Sequence, residues 1–163
     1  MNLESALYYL VTWSLIGFVA FSLYVLVVFR SGLVYTARKQ DGTLKERIPL
    51  IGYLNMLVFL IAILGFQFLA NYFGLARKNV SADYLPLFLL NYGHYLILFL
   101  FDSLVIDGLV ISVWRPGFLY LPNAMNSESM KQHILISIPV GLVAGIVLAG
   151  LSTLASYFLL FRS

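Results

Sequence analysis

Cysteine is absent from the 163 residues. That excludes disulfides, thiolate metal sites, cysteine-ligated iron–sulfur clusters, c-type haem attachment and cysteine nucleophiles. Charge is nearly as scarce: 10 Lys+Arg and 7 Asp+Glu amount to 10% of the chain, against about 25% in an average soluble domain. So few charges cannot coat a globule with a solvated surface. Long polar segments are also missing, since the longest connector between apolar runs, Arg30–Pro49, has 20 residues and holds no soluble domain. The net charge of +3 does not point to nucleic acid, because the basic residues lie between apolar runs and form no separate domain. There is no Gly-rich phosphate loop, no HExxH, no Ser–His–Asp order and no Glu-x-x-His pair. No metal or other cofactor is therefore expected.

What remains is apolar. Hydrophobic residues make up 61% of the chain and the mean hydropathy is +0.93. Four runs, at residues 6–29, 50–73, 86–114 and 134–161, exceed the ~20 residues a helix needs to cross ~30 Å of hydrocarbon. In lipid an open sheet leaves backbone groups unpaired, and these runs lack the alternation of barrel strands. The expected fold is all-α: one transmembrane domain over residues 1–163, a four-helix bundle. The first run is too long for a signal peptide and lacks the basic residue before it and the small-residue site after it.

Orientation follows from the basic residues. Arg30, Arg38, Lys39, Lys45, Arg47, Arg115 and Lys131 fall on one side, seven in all, and Arg77, Lys78 and Arg162, three in all, on the other. The positive-inside rule then puts the Arg30–Pro49 loop in the cytoplasm and both termini outside, in a cell (inner) membrane. Tyr8, Tyr9, Trp13, Tyr72, Tyr84, Tyr92 and Tyr157 are expected near one interface. Tyr35, Tyr53, Trp114, Phe118 and Tyr120 are expected near the other.

The residues that could carry chemistry cluster on the third run. Asp102 falls near its middle, where a charge costs several kcal/mol. No Lys or Arg falls at that depth, so Asp102 is expected to be protonated and to donate a hydrogen bond. On an α-helix Asp107 lies about 7.5 Å further toward the cytoplasm and His94 about 12 Å toward the outside. At roughly 100° per residue Asn91, His94 and Asp102 share an arc of about 80°, while Asp107 is turned about 140° from Asp102. That rotation separates the two carboxylates and excludes a protease dyad, which needs them to share a proton. Antiparallel counting puts Gln67 and Asn71 level with His94, and Asn55 and Tyr24 level with Asp107. Arg115 and His133 join Asp107 at the cytoplasmic interface. His94 and His133 sit at different depths and cannot share one haem iron.

The fourth run carries a periodic signal: Ser137, Gly141, Gly145, Ala149 and Thr153 recur every four residues. Small residues allow close helix approach, so this stripe is read as a packing face, toward either the same bundle or a second chain.

The segment from Asn91 to His133 resembles a group of small bacterial integral membrane proteins with an Asp-bearing helix of the form D-x-L-V-I-D. The elements here are Asp102, Leu104, Val105, Ile106 and Asp107, then Pro116 and Phe118, then Leu121 and Pro122, and finally His133. Where that pattern has a Pro-Gly-Thr turn, this chain has Leu-Pro-Asn-Ala. The resemblance implies no activity. Taken together, the residues suggest a non-enzymatic subunit or accessory factor of a membrane assembly, in contact with lipid and with partner membrane subunits or further copies of itself. The alternative is a dimeric proton- or cation-coupled transporter or channel using Asp102. A weaker one is a lipid-modifying enzyme using Asp107, Arg115 and His133.

Overall fold

A computed structural model of the chain describes residues 1–37, 39–40, 45–123, 125 and 127–162. Arg38 of the basic loop lies outside them. The described residues form helices and connectors with no strand. Four helices are long and apolar enough to cross a membrane, and the fold is an all-α four-helix bundle.

Helix α1 spans Leu3–Arg30. It starts where Asn2 Oδ1 accepts the Ser5 N–H at 2.8 Å, a side-chain cap on a free first-turn donor. Helix α2 is the short turn Val34–Ala37. Helix α3, Leu50–Gly74, begins after Pro49, whose carbonyl accepts the Gly52 N–H at 2.8 Å. Helix α4, Tyr84–Leu100, begins ahead of Pro86, because proline is tolerated in a first turn whose N–H groups have no helical partner. Helix α5 runs Ser127–Ser156, seven residues earlier than the apolar run alone predicts. The polar turn Ser127–His133 extends the helix past the hydrophobic stretch.

One feature departs from the expected geometry. From Phe101 to Trp114 the third span is wound as a π-helix, with bonds from each residue to the fifth one back. The Arg115 N–H reaches the Val110 carbonyl at 2.8 Å, and Ser112 Oγ donates to the Asp107 carbonyl at 2.6 Å. Gly108 suits this winding, since a Cβ there would come within 3.3 Å of the Ser103 carbonyl oxygen. The rotation of about 140° between Asp102 and Asp107 presumes α-helix and is corrected here: five residues apart on a π-helix are about one turn apart, on neighbouring positions of one face.

The chain divides into two compact units. The first combines Met1–Phe18, Leu60–Leu98 and Gly141–Ser163. Its apolar core is built on Tyr9, Ala70, Leu75, Ala82, Leu87 and Leu90. The second combines Val19–Phe59 and Phe99–Val140, around Val25, Phe29, Ile106, Ile111, Met125 and Met130. In lipid the tails are as apolar as leucine. Close packing and interhelical hydrogen bonds therefore hold such cores together.

Candidate functional site

In the first unit the polar side chains meet in one buried lattice. Asn91, 0% exposed, lies at its centre. Its Oδ1 accepts from Gln67 Nε2 at 3.1 Å and from Tyr9 Oη at 3.5 Å. Its Nδ2 donates to Thr153 Oγ1 at 2.9 Å, and its backbone carbonyl takes a second bond from Gln67 at 2.9 Å. Tyr9 Oη also donates to Asn71 Oδ1 at 2.9 Å, and Asn71 Nδ2 donates to Ser156 Oγ at 2.8 Å. Residues from α1, α3, α4 and α5 are thus joined. Buried polar groups are tolerable only when paired, and here six side chains pair one another.

Of the predicted residues, Gln67, Asn71, Asn91 and Thr153 belong to this lattice. Tyr9 and Ser156 complete it, and Tyr9, expected near one interface, turns inward and is fully buried. Its neighbour Tyr8 faces outward with Lys78 Nζ 3.7 Å from its ring centroid, because successive residues on a helix point about 100° apart. His94 is also fully buried. It is wedged against Tyr9 at 5.6 Å and Phe66 at 5.8 Å between ring centroids, and neither ring nitrogen makes a hydrogen bond among the described residues.

The small-residue stripe packs within the chain. Gly141, Gly145, Ala149 and Thr153 are buried and Ser137 is half-buried. Tyr95 Oη donates to the Gly141 carbonyl at 3.2 Å. A Cβ at Gly145 would meet Tyr95 Cε1 at 2.4 Å and Tyr92 Cε2 at 3.2 Å. Gly141, Gly145 and Thr153 of the stripe thus meet helix α4.

In the second unit the structure brings Asp107 and His133 together, with Oδ2 3.6 Å from Nε2 and both side chains largely shielded. Asp102 is half-buried in the first turn of the π segment, and Asn55 is half-buried on α3. Tyr24 stacks on Phe59 at 5.0 Å. Arg115 turns elsewhere: its Nη1 donates to the Met125 carbonyl and, at 3.4 Å, to that of Ile111, and its Nη2 donates to Pro122 at 2.8 Å. Its guanidinium thus ties the loop after the π segment. Beside it, the Tyr35 hydroxyl is buried without a hydrogen-bond partner among the described residues. Burial pushes this phenol above its ordinary pKa, opposed by the charge of Arg115. No three His, Asp or Glu side chains gather as metal ligands among the described residues.

The fold and these sites define a multi-pass, four-helix protein built to cross a membrane. No protein-family model, curated protein or solved structure matches the chain.

Proposed function

We propose that this protein is a small subunit or accessory factor of a membrane assembly, with no enzymatic step of its own. The observation that carries the reading is the closed lattice around Asn91, whose side-chain oxygen and nitrogen are both committed to other helices of the same chain. Polar groups spent in this way fasten helices and leave the outer surface to do the work. That surface meets lipid and partner subunits. The basic loop between α1 and α3 lies in the cytoplasm of this arrangement and both termini lie outside.

Gentle solubilisation followed by native mass spectrometry tests the reading. Stoichiometric partner chains are expected, and an isolated homodimer or monomer overturns it. Orientation is tested on the naturally cysteine-free chain. A cysteine at Ser81 should label from outside and one at Thr43 should not, and the reverse pattern inverts the topology.

The π segment favours a second reading, a proton- or cation-handling site at Asp102, since such winding is frequent at functional sites. Asp102→Asn keeps a hydrogen-bonding group but cannot titrate, whereas Asp102→Leu removes both. Under the first reading Asn preserves assembly and Leu weakens it by about 0.6–2 kcal/mol. An Asn variant that assembles normally but abolishes proton flux in liposomes would establish the second.

A further inference from the structure

We propose that Arg30 and Tyr120 form a headgroup site for an anionic phospholipid. Arg30 ends α1, and its guanidinium carbon lies 5.8 Å from the centroid of the Tyr120 ring. Both residues are exposed, Tyr120 by 67%. Tyr120 adopts φ 52, a left-handed conformation that glycine or asparagine takes more cheaply. The chain holds a large aromatic there because the loop is fixed on both sides. Arg115 ties the carbonyls of Ile111, Pro122 and Met125 together, and Leu119, 3% exposed, plugs into the core beside Val25 and Phe29. With Leu119 held inward, the next side chain is turned out against Arg30.

An arginine lying on an aromatic face keeps its in-plane N–H donors available. Those donors match phosphate in a bidentate fork. The surroundings point to a lipid phosphate and not a soluble one. Trp114 and Phe118 are 64% and 47% exposed and meet edge to face at 6.0 Å. Exposed rings on the segment leading to Tyr120 contribute little to holding a small anion in water, whereas aromatic rings settle at headgroup level in a bilayer. Net charge selects an anionic lipid. The segment 30–49 has five basic residues (Arg30, Arg38, Lys39, Lys45, Arg47) against two acidic ones (Asp41, Glu46), and each basic residue near an anionic surface adds attraction.

The test uses the full chain, delipidated in detergent and titrated with phosphatidylglycerol, phosphatidylcholine or soluble glycerol 3-phosphate. Native mass spectrometry and melting temperature are the readouts. Phosphatidylglycerol should bind and raise the melting temperature with concentration, and the other two should not. Arg30→Gln should weaken phosphatidylglycerol binding about fivefold, and Lys78→Gln, at the Tyr8 cation–π pair of the other unit, should not. Phosphatidylcholine or glycerol phosphate binding as well as phosphatidylglycerol overturns the site, as does an Arg30→Gln chain with undiminished affinity. Should Arg30→Gln fail to fold, Tyr120→Ala and Tyr120→Phe decide: loss in Ala with retention in Phe supports the site, and equal binding by both overturns it.

Discussion

Gly145→Ala is the sharpest probe of how the fourth helix is held. The added methyl carbon would fall 2.4 and 2.5 Å from two ring carbons of Tyr95, well inside van der Waals contact. The ring cannot simply swing aside, because its hydroxyl is bonded to the Gly141 carbonyl one turn away. Overpacking of this kind costs about 1–3 kcal/mol, and an interhelical hydrogen bond in a membrane protein averages about 0.6 kcal/mol. Relieving the clash at the expense of that bond, less the about 0.5–1 kcal/mol that a helical alanine gains over glycine, gives a loss of about 1–3 kcal/mol. Gly150→Ala is the matched control on the same helix, since a Cβ there has nothing within 4 Å. Replacing an unhindered helical glycine should add about 0.5–1 kcal/mol. Equilibrium unfolding in mixed micelles measures both. Tyr95→Leu in the Gly145→Ala background should recover part of the loss, giving a coupling of at least about 0.5 kcal/mol. If Gly145→Ala unfolds within about 0.5 kcal/mol of wild type, as an unremarkable surface substitution does, the stripe does not work by close approach to α4.

Three further outcomes follow from the same geometry. Asn91→Leu strands partners on three helices and should cost about 1–3 kcal/mol in micellar unfolding; unchanged stability would show that the lattice contributes nothing. Asp107→Asn and His133→Gln should couple by about 0.5–2 kcal/mol in a double-mutant cycle, and strictly additive losses would dissolve the pair. Tyr35 is raised above the ordinary phenol value of 10.0 by burial, so the stability it contributes is complete below pH 10 and is lost as pH rises through the folded-state value. Tyr35→Phe should abolish that alkaline loss and leave stability at pH 7 the same or higher, because the hydroxyl has no partner among the described residues. A Phe variant that is less stable at pH 7 refutes this.

The number and class of the helices were legible in the sequence, because membrane thickness sets a length that composition alone can meet. The stripe from Ser137 to Thr153 was legible as periodicity, although its partner was not. Four-residue spacing marks a face without saying what covers it. Tyr9 was missed because aromatics near a span's end usually mark the interface. The signal that could have found it lay on the other helices, in Asn71, Asn91 and Ser156 at matching depth. Arg115 was read as a candidate partner for Asp107, yet its donors go to backbone carbonyls, and only loop geometry reveals carbonyls left over beyond a helix end. The π segment had no sequence signature. Hydropathy does not distinguish bonds that reach back four residues from bonds that reach back five, so the azimuths of Asp102 and Asp107 were counted on the wrong winding.

The lattice around Asn91 also bears on the order in which the protein is made. Its bonds join residues separated by 24, 62 and 82 positions, and the Asn71–Ser156 bond spans 85. Asn91 enters the membrane before Thr153 has been synthesised, and Asn71 before Ser156. In a two-stage view, in which helices first insert and then associate, these amides wait in the bilayer for hydroxyls on the last helix. Contacts so distant in sequence close late. The arrival of α5 therefore completes the hydrogen bonding of the helices made before it, and a chain stalled ahead of Thr153 keeps two asparagines exposed as a mark of incompleteness.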